Sequence, residues 1–158
     1  MRQMRRKDRE ITDITEIAAI LENCEVARLG LTDGDEAYIV PLNFALERTG
    51  DTLTLYFHSA TEGRKVELLR KSGRVCVEAD RLIRTEGGRE ACSWTAKYES
   101  VIGYGTVRFL EGAAKSGALD RLMERYGFEG KPEYSDESLA RVCVCALELN
   151  SVSGKRSV

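Results

Sequence analysis

The chain has 158 residues, of which 42% are hydrophobic and 32% charged, with a formal net charge of −2. This length suits one compact domain with enough residues to bury a real core, so residues 1–158 are read as a single domain. The slightly negative charge argues against general affinity for nucleic acid or an anionic membrane, and no apolar run approaches the roughly 20 residues of a membrane-spanning helix.

The basic stretch Arg2 to Arg9 includes Asp8 and reads as a solvated terminus; with no apolar segment behind it, it is not a secretory signal. Asp13 and Glu16 have the spacing of a capping box, and Ile14, Ile17, Ala18 and Leu21 follow as a helical stripe. Val26 to Leu31 predicts a strand that turns at Thr32-Asp33-Gly34-Asp35. Glu36 to Glu47 predicts one long strand, with a bulge or an edge at Pro41, which has no N–H for a ladder. Gly50-Asp51 turns the chain into a strand from Thr52 to His58 that alternates polar and apolar residues.

Ser59 and Glu62 form a second capping-box spacing, here S-x-x-E, predicting a helix from about Ala60 to Arg70 with Val66 and Leu69 inward. Arg74 to Asp80 is a short strand. Gly87-Gly88 predicts a hairpin turn between Arg81–Glu86 and Arg89–Thr95. Ser100 to Glu111 is a long strand whose Gly103 and Gly105 predict a bend or the close approach of another backbone. Leu119, Leu122, Met123 and Tyr126 mark another amphipathic helix, ending near Gly127, and Gly130 to Ser138 reads as loop. Val142 to Leu149 is apolar on both faces and predicts a central strand. About seven strands and three helices, with strands mostly adjacent in sequence, predict a mainly β fold: an antiparallel sheet or barrel with peripheral helices.

Five cysteines are an odd number, and Cys76, Cys143 and Cys145 lie in strand-like apolar runs. They read as buried free thiols of a reducing cytoplasm. Cys143 and Cys145 share one strand face, but a chain with a single histidine offers too few further ligands to predict a metal site.

That histidine, His58, sits where a strand is expected to meet a helix. A helix start presents unpaired N–H groups and the positive end of the helix dipole. With Arg64 and Lys65 one turn on, the junction could hold a phosphate. The same pattern also opens ordinary helices, and Glu62 would repel an anion unless it turned back to cap. Val40-Pro41-Leu42-Asn43 could line a flat slot, with Pro41 freeing backbone groups and Asn43 offering a donor and an acceptor. Trp94 is the only tryptophan, with Tyr98 four residues on. His58 and Ser59 are neighbours pointing opposite ways, so they form no triad, and neither a Walker A loop nor a dinucleotide fingerprint is present. No residue is singled out as a catalytic acid or base.

Three blocks carry a resemblance: Ala37 to Phe44, Tyr56 to Lys65, and Ala91 to Gly105, with Met4 to Glu10 and Ser153-Gly154-Lys155 at the two ends. In order and spacing the chain resembles the pyridoxamine 5′-phosphate oxidase-like FMN-binding split-barrel proteins, and most of all their nitroimidazole resistance (Nim) branch. The resemblance implies a single-domain antiparallel split β-barrel and a homodimer carrying FMN at its interface. It implies cofactor contacts from Val40, Pro41, Leu42, Asn43, Tyr56, Phe57, His58, Ser59, Arg64 and Lys65, with Trp94 and Ser100 acting across the interface. The activity implied is an FMN-dependent oxidoreductase passing electrons to a small-molecule acceptor, such as a 5-nitroimidazole. The alternative is a non-catalytic protein of the same fold that holds a flavin, a deazaflavin or haem, with His58 as a candidate iron ligand.

Overall fold

The structure is a computed structural model that describes residues 4–157. Of the basic N-terminal stretch, Arg2 lies outside these residues; Arg6 pairs with Asp8 at 2.8 Å. The described residues form one eight-stranded antiparallel sheet. Its strands are β1 (Glu10–Ile11), β2 (Ala27–Asp33), β3 (Glu36–Leu42), β4 (Ala45–Thr49), β5 (Thr52–Ala60), β6 (Arg74–Glu86), β7 (Thr95–Leu110) and β8 (Val142–Ser157). The spatial order is β3-β2-β6-β7-β8-β5-β4, with β1 paired to β8. The helices are α1 (Ile14–Glu22), α2 (Arg64–Ser72), α3 (Gly112–Arg125) and α4 (Asp136–Ala140). The mainly β, antiparallel expectation holds, and none of these helices is long and apolar enough to cross a membrane.

β8 organises the packing, because both of its faces are covered. Cys143, Cys145 and Leu147 join the large core with Leu29, Phe57, Val77 and Val101. Val144 and Ala146 face the other way, onto Leu119 and Leu122 of α3. All five cysteines are free; burial pushes the Cys145 thiol up to about 12 and the Cys24 thiol up to about 11, so both stay protonated and unreactive. Cys76 is only half-buried, on the outer face of β6. At α1 the capping prediction is half right. Asp13 accepts from the N–H groups of Thr15 and Glu16 at 2.9 Å, but the Glu16 carboxylate reaches Arg156 instead of returning to the cap.

Four expectations about strands and loops are corrected. The single strand Glu36–Glu47 is two, β3 and β4, broken at Asn43-Phe44. Phe44 turns fully into the core, and its N–H donates to the Tyr126 hydroxyl at 3.2 Å instead of to a strand. Pro41 does lie in an edge strand, but it pairs in register with Arg28 and makes no bulge. Arg74–Asp80 and Arg81–Glu86 are one 13-residue strand, because β7 pairs with it along its whole length. Residues 87–94 then form the hairpin loop, with a short 3₁₀ turn at Ala91–Ser93, and no strand starts at Arg89. Inside that loop the Trp94 indole lies on Gly87, where a Cβ would come within 2.7 Å of it. The segment expected to be loop, Gly130 to Ser138, contains the start of α4, whose Ser135 hydroxyl accepts from the Ser138 N–H at 3.2 Å. The glycine expectation in β7 holds. The register against β8 shifts between Tyr104 and Gly105, and a Cβ on Gly105 would collide with the Glu148 carbonyl.

Candidate functional site

The strand–helix junction differs from its sequence reading in a way that matters. β5 does not stop at His58: Ser59 and Ala60 continue the ladder opposite Cys143 and Val142, and the Cys143 thiol donates to the Ala60 carbonyl at 3.3 Å. The chain bends over residues 61–63, and α2 starts at Arg64. The Ser59–Glu62 capping box is therefore not formed, because pairing with β8 holds Ser59 in a strand. The cap residue is Gly63, at φ 120°, a conformation side chains disfavour, and no side chain among the described residues caps the helix. Among the described residues, the first-turn N–H groups of α2 thus have no side-chain partner, and they lie at the positive end of the helix.

Lys65 stands in that first turn, half-buried, and makes no ion pair among the described residues. It lies near His58. Partial burial first, and the Lys65 ammonium second, push the His58 imidazole below its ordinary range, although its ring still reaches solvent. At pH 7 His58 is neutral, and Lys65 supplies the positive charge at this spot. Arg64 is used differently. Its Nε donates to Asp33 at 2.8 Å, its Nη2 lies 3.5 Å from Glu36, and its guanidinium stacks 4.7 Å above the Tyr38 ring. Of the other predicted β5 residues, Phe57 is fully buried in the core, while the Tyr56 hydroxyl donates to Glu47 at 2.5 Å. Ser59 is half-buried.

The Arg64–Tyr38 contact brings the junction onto β3. Tyr38 is two residues from Val40, about 7 Å along a strand. On β3, Val40 packs partly against the core, Pro41 is exposed and Leu42 is buried. As an edge strand, β3 leaves alternate backbone groups unpaired, which is what the polar edge of a flat ring requires. Asn43 lies beyond the end of β3, in a separate cleft of about 600 Å³ lined also by Glu22, Cys24, Arg125 and Tyr126. That cleft is a joint between elements. Arg125 donates to the carbonyls of Leu21, Glu22 and Cys24 at 3.2, 3.4 and 2.6 Å, and the Tyr126 hydroxyl donates to the Glu25 carbonyl at 2.7 Å.

Trp94 and Ser100 are not brought to the junction within one chain. His58 pairs with Val144, which pairs with Leu110 of β7. Ser100, opposite Asp80 and Lys155, is ten residues from Leu110 on the same strand. That is a path of about 33 Å along the strand. Trp94 lies further out and is 63% exposed, as Leu82 is at 61%. Ile102 and Tyr104 are also exposed, along the outer face of β7. Sequence reasoning missed Gly63 as the cap and Asp33, Glu36 and Tyr38 as the partners of Arg64. The first had a local signal, a glycine directly before Arg64-Lys65; the others had none.

The family model described as Pyridoxamine 5′-phosphate oxidase matches residues 13–156. Among solved structures, a candidate 5-nitroimidazole antibiotic resistance protein from Bacteroides thetaiotaomicron is 31% identical, with a TM-score of 0.80 over 93% of this chain and 86% of that one. An FAD and heme binding protein from Mycobacterium smegmatis is 22% identical, with a TM-score of 0.81 over 94% and 73% of the two chains. A flavocytochrome from Azotobacter vinelandii is 20% identical, with a TM-score of 0.81 over 99% and 72%. The last two share the fold. No match is found among curated proteins.

Proposed function

The chain belongs to the pyridoxamine 5′-phosphate oxidase family and has its split-barrel fold, and from that premise we propose that it is an FMN-dependent oxidoreductase that reduces nitro-aromatic compounds of the 5-nitroimidazole type. One observation carries the cofactor half of this reading: α2 begins without a side-chain cap, and its first turn holds Lys65, a cation with no carboxylate partner among the described residues. Open N–H groups plus an unengaged ammonium fit a phosphate monoester. Bound FMN would supply the electron-transfer chemistry, which side chains alone lack. The residues of this chain would bind and orient. Lys65 and the first turn of α2 hold the phosphate, Val40 to Leu42 present a backbone edge to the ring, and His58 offers a hydrogen bond.

Trp94 and Ser100 reach such a cofactor from a second copy of the chain. The proposal therefore includes a homodimer, with exposed Trp94, Leu82, Ile102 and Tyr104 as apolar surface for the partner. The nitroimidazole half rests on the likeness to the Bacteroides protein. The free thiols, of which Cys24, Cys143 and Cys145 are buried, accord with a cytoplasmic setting. The second reading, a carrier of flavin or haem without turnover, draws on His58, which is neutral and solvent-reaching and so able to ligate iron.

The test begins with colour. Purified protein should be yellow and release FMN on heating; a sharp Soret band would favour the haem reading. The flavin-loaded protein is then reduced without oxygen and mixed with a 5-nitroimidazole. Reoxidation of the flavin together with loss of nitro-group absorbance is expected. Reoxidation by oxygen alone would leave a carrier, and failure to take up FMN at all would overturn the cofactor assignment.

A further inference from the structure

Arg64 and Lys65 look like a matched pair of phosphate ligands in sequence, yet consecutive helical residues diverge by about 100°. The three partners of Arg64 all belong to one hairpin. Asp33 ends β2, Glu36 begins β3, and Tyr38 lies two residues on. The guanidinium bonds Asp33 at 2.8 Å, lies 3.5 Å from Glu36, and covers the Tyr38 ring at 4.7 Å. Two carboxylates beside one guanidinium leave the spot net negative, which is unfavourable for a further anion. The first turn of α2 is thereby tied to the same strand that carries Val40, Pro41 and Leu42.

We propose that Arg64 is a positioning residue and not a phosphate ligand: it clamps the β2–β3 hairpin to the first turn of α2 and so sets the distance between Lys65 and the Val40–Leu42 edge. The purpose of the clamp rests on the flavin reading above; its existence does not. A ligand that spans both places binds best when their separation is held in advance. A clamp and a ligand respond to mutation in opposite ways. Freeing Arg64 from Asp33 would loosen a clamp but would release a ligand.

The experiment uses the full chain as wild type, Arg64→Gln, Asp33→Asn, the double variant and Lys65→Ala. Each is titrated with FMN and with riboflavin, and amide hydrogen exchange is followed without flavin. Arg64→Gln is expected to weaken FMN and riboflavin equally, by up to about tenfold, the scale of one exposed ion pair plus one cation–π contact. Asp33→Asn should do the same, and the double variant should be no worse than either single one. The amides of residues 36–40 should lose protection in all three before any flavin is added. FMN-selective loss in Arg64→Gln, with FMN bound more tightly by Asp33→Asn, would overturn the proposal, as would unchanged exchange in the hairpin. If wild type takes up neither flavin, or Lys65→Ala weakens both ligands equally, the phosphate-site reading fails, while the exchange result still decides the clamp.

Discussion

Along β7 the molecule uses cations in two contrasting ways. Toward one end, Arg81 and Arg156 both donate to Glu99, at 2.8 and 2.6 Å, and Arg156 also reaches Glu16 at 3.0 Å. Glu99 is buried, and burial pushes its carboxyl up, but the bonds from Arg81 and Arg156 outweigh this and hold it below the usual carboxylate range. Toward the other end, Lys65 sits at an uncapped helix start with no ion-pair partner among the described residues. The first arrangement satisfies every charge internally and ties β6, β7, β8 and α1 together. The second leaves donors without a partner among the described residues, and only such donors have binding capacity to offer. Arg64, beside Lys65 in sequence, behaves like the first group.

The contrast breaks most visibly at Glu99. Glu99→Ala leaves two guanidinium groups facing each other without their shared anion. Because Arg81 and Arg156 are each about a third exposed, the cost falls below that of a fully buried network, at about 2–3 kcal/mol in urea unfolding. Any change in flavin affinity should be the same for FMN and riboflavin, because Glu99 neighbours Ser100 and not the first turn of α2. Lys65→Ala is the mirror experiment. Unfolding should move by less than about 1 kcal/mol, as for a half-buried residue with no ion pair among the described residues. FMN affinity should fall about ten- to hundredfold, the scale of a charge-assisted hydrogen bond, while riboflavin is bound as before. A large loss of stability in Lys65→Ala would erase the distinction between the two regions.

Acid sharpens it next. The folded pKa of Glu99 is below its unfolded value of about 4.3. Its stabilising contribution is therefore fully present above that value and is lost as pH falls through the lower folded pKa. Melting temperature followed from pH 5 downward should fall more steeply in wild type than in Glu99→Gln. The smallest effect belongs to His58. Its folded pKa is also lowered, so between pH 7 and 5 the unfolded chain takes up the proton more readily and stability declines with acid. His58→Gln should flatten that decline, and an identical slope in the two proteins would show that the imidazole is not desolvated in solution.

Local chemistry was read well from sequence where a signal and its effect lie within one turn or one hairpin. Asp13 caps α1 as its position predicts, Val66 and Leu69 face inward on α2, and the turns at Gly34 and Gly50 stand where expected. The two-sided apolar run at Val142 to Leu149 became the central strand, since only a strand covered on both faces carries such a pattern. The site was half legible. His58 and Lys65 do lie together, but through a strand two residues longer and a helix starting four residues later than the pattern of Ser59 and Glu62 implied.

What the sequence determined by itself was the class of fold, most of the order of its elements, the inward faces of its longer helices and the presence of basic residues near a strand–helix junction. These depend on periodicities and caps that each segment carries within itself. Tertiary structure alone decided that β5 runs on past His58, that β6 is continuous through Asp80, that the strand breaks at Asn43-Phe44, and that Arg64 pairs with a hairpin while Lys65 makes no ion pair among the described residues. In each case the deciding partner is remote in the chain: Cys143 for Ser59, Tyr126 for Phe44, Asp33 for Arg64. A ladder partner or a counter-ion acts through distance in space, and no local pattern of residues encodes which distant segment will arrive to supply it.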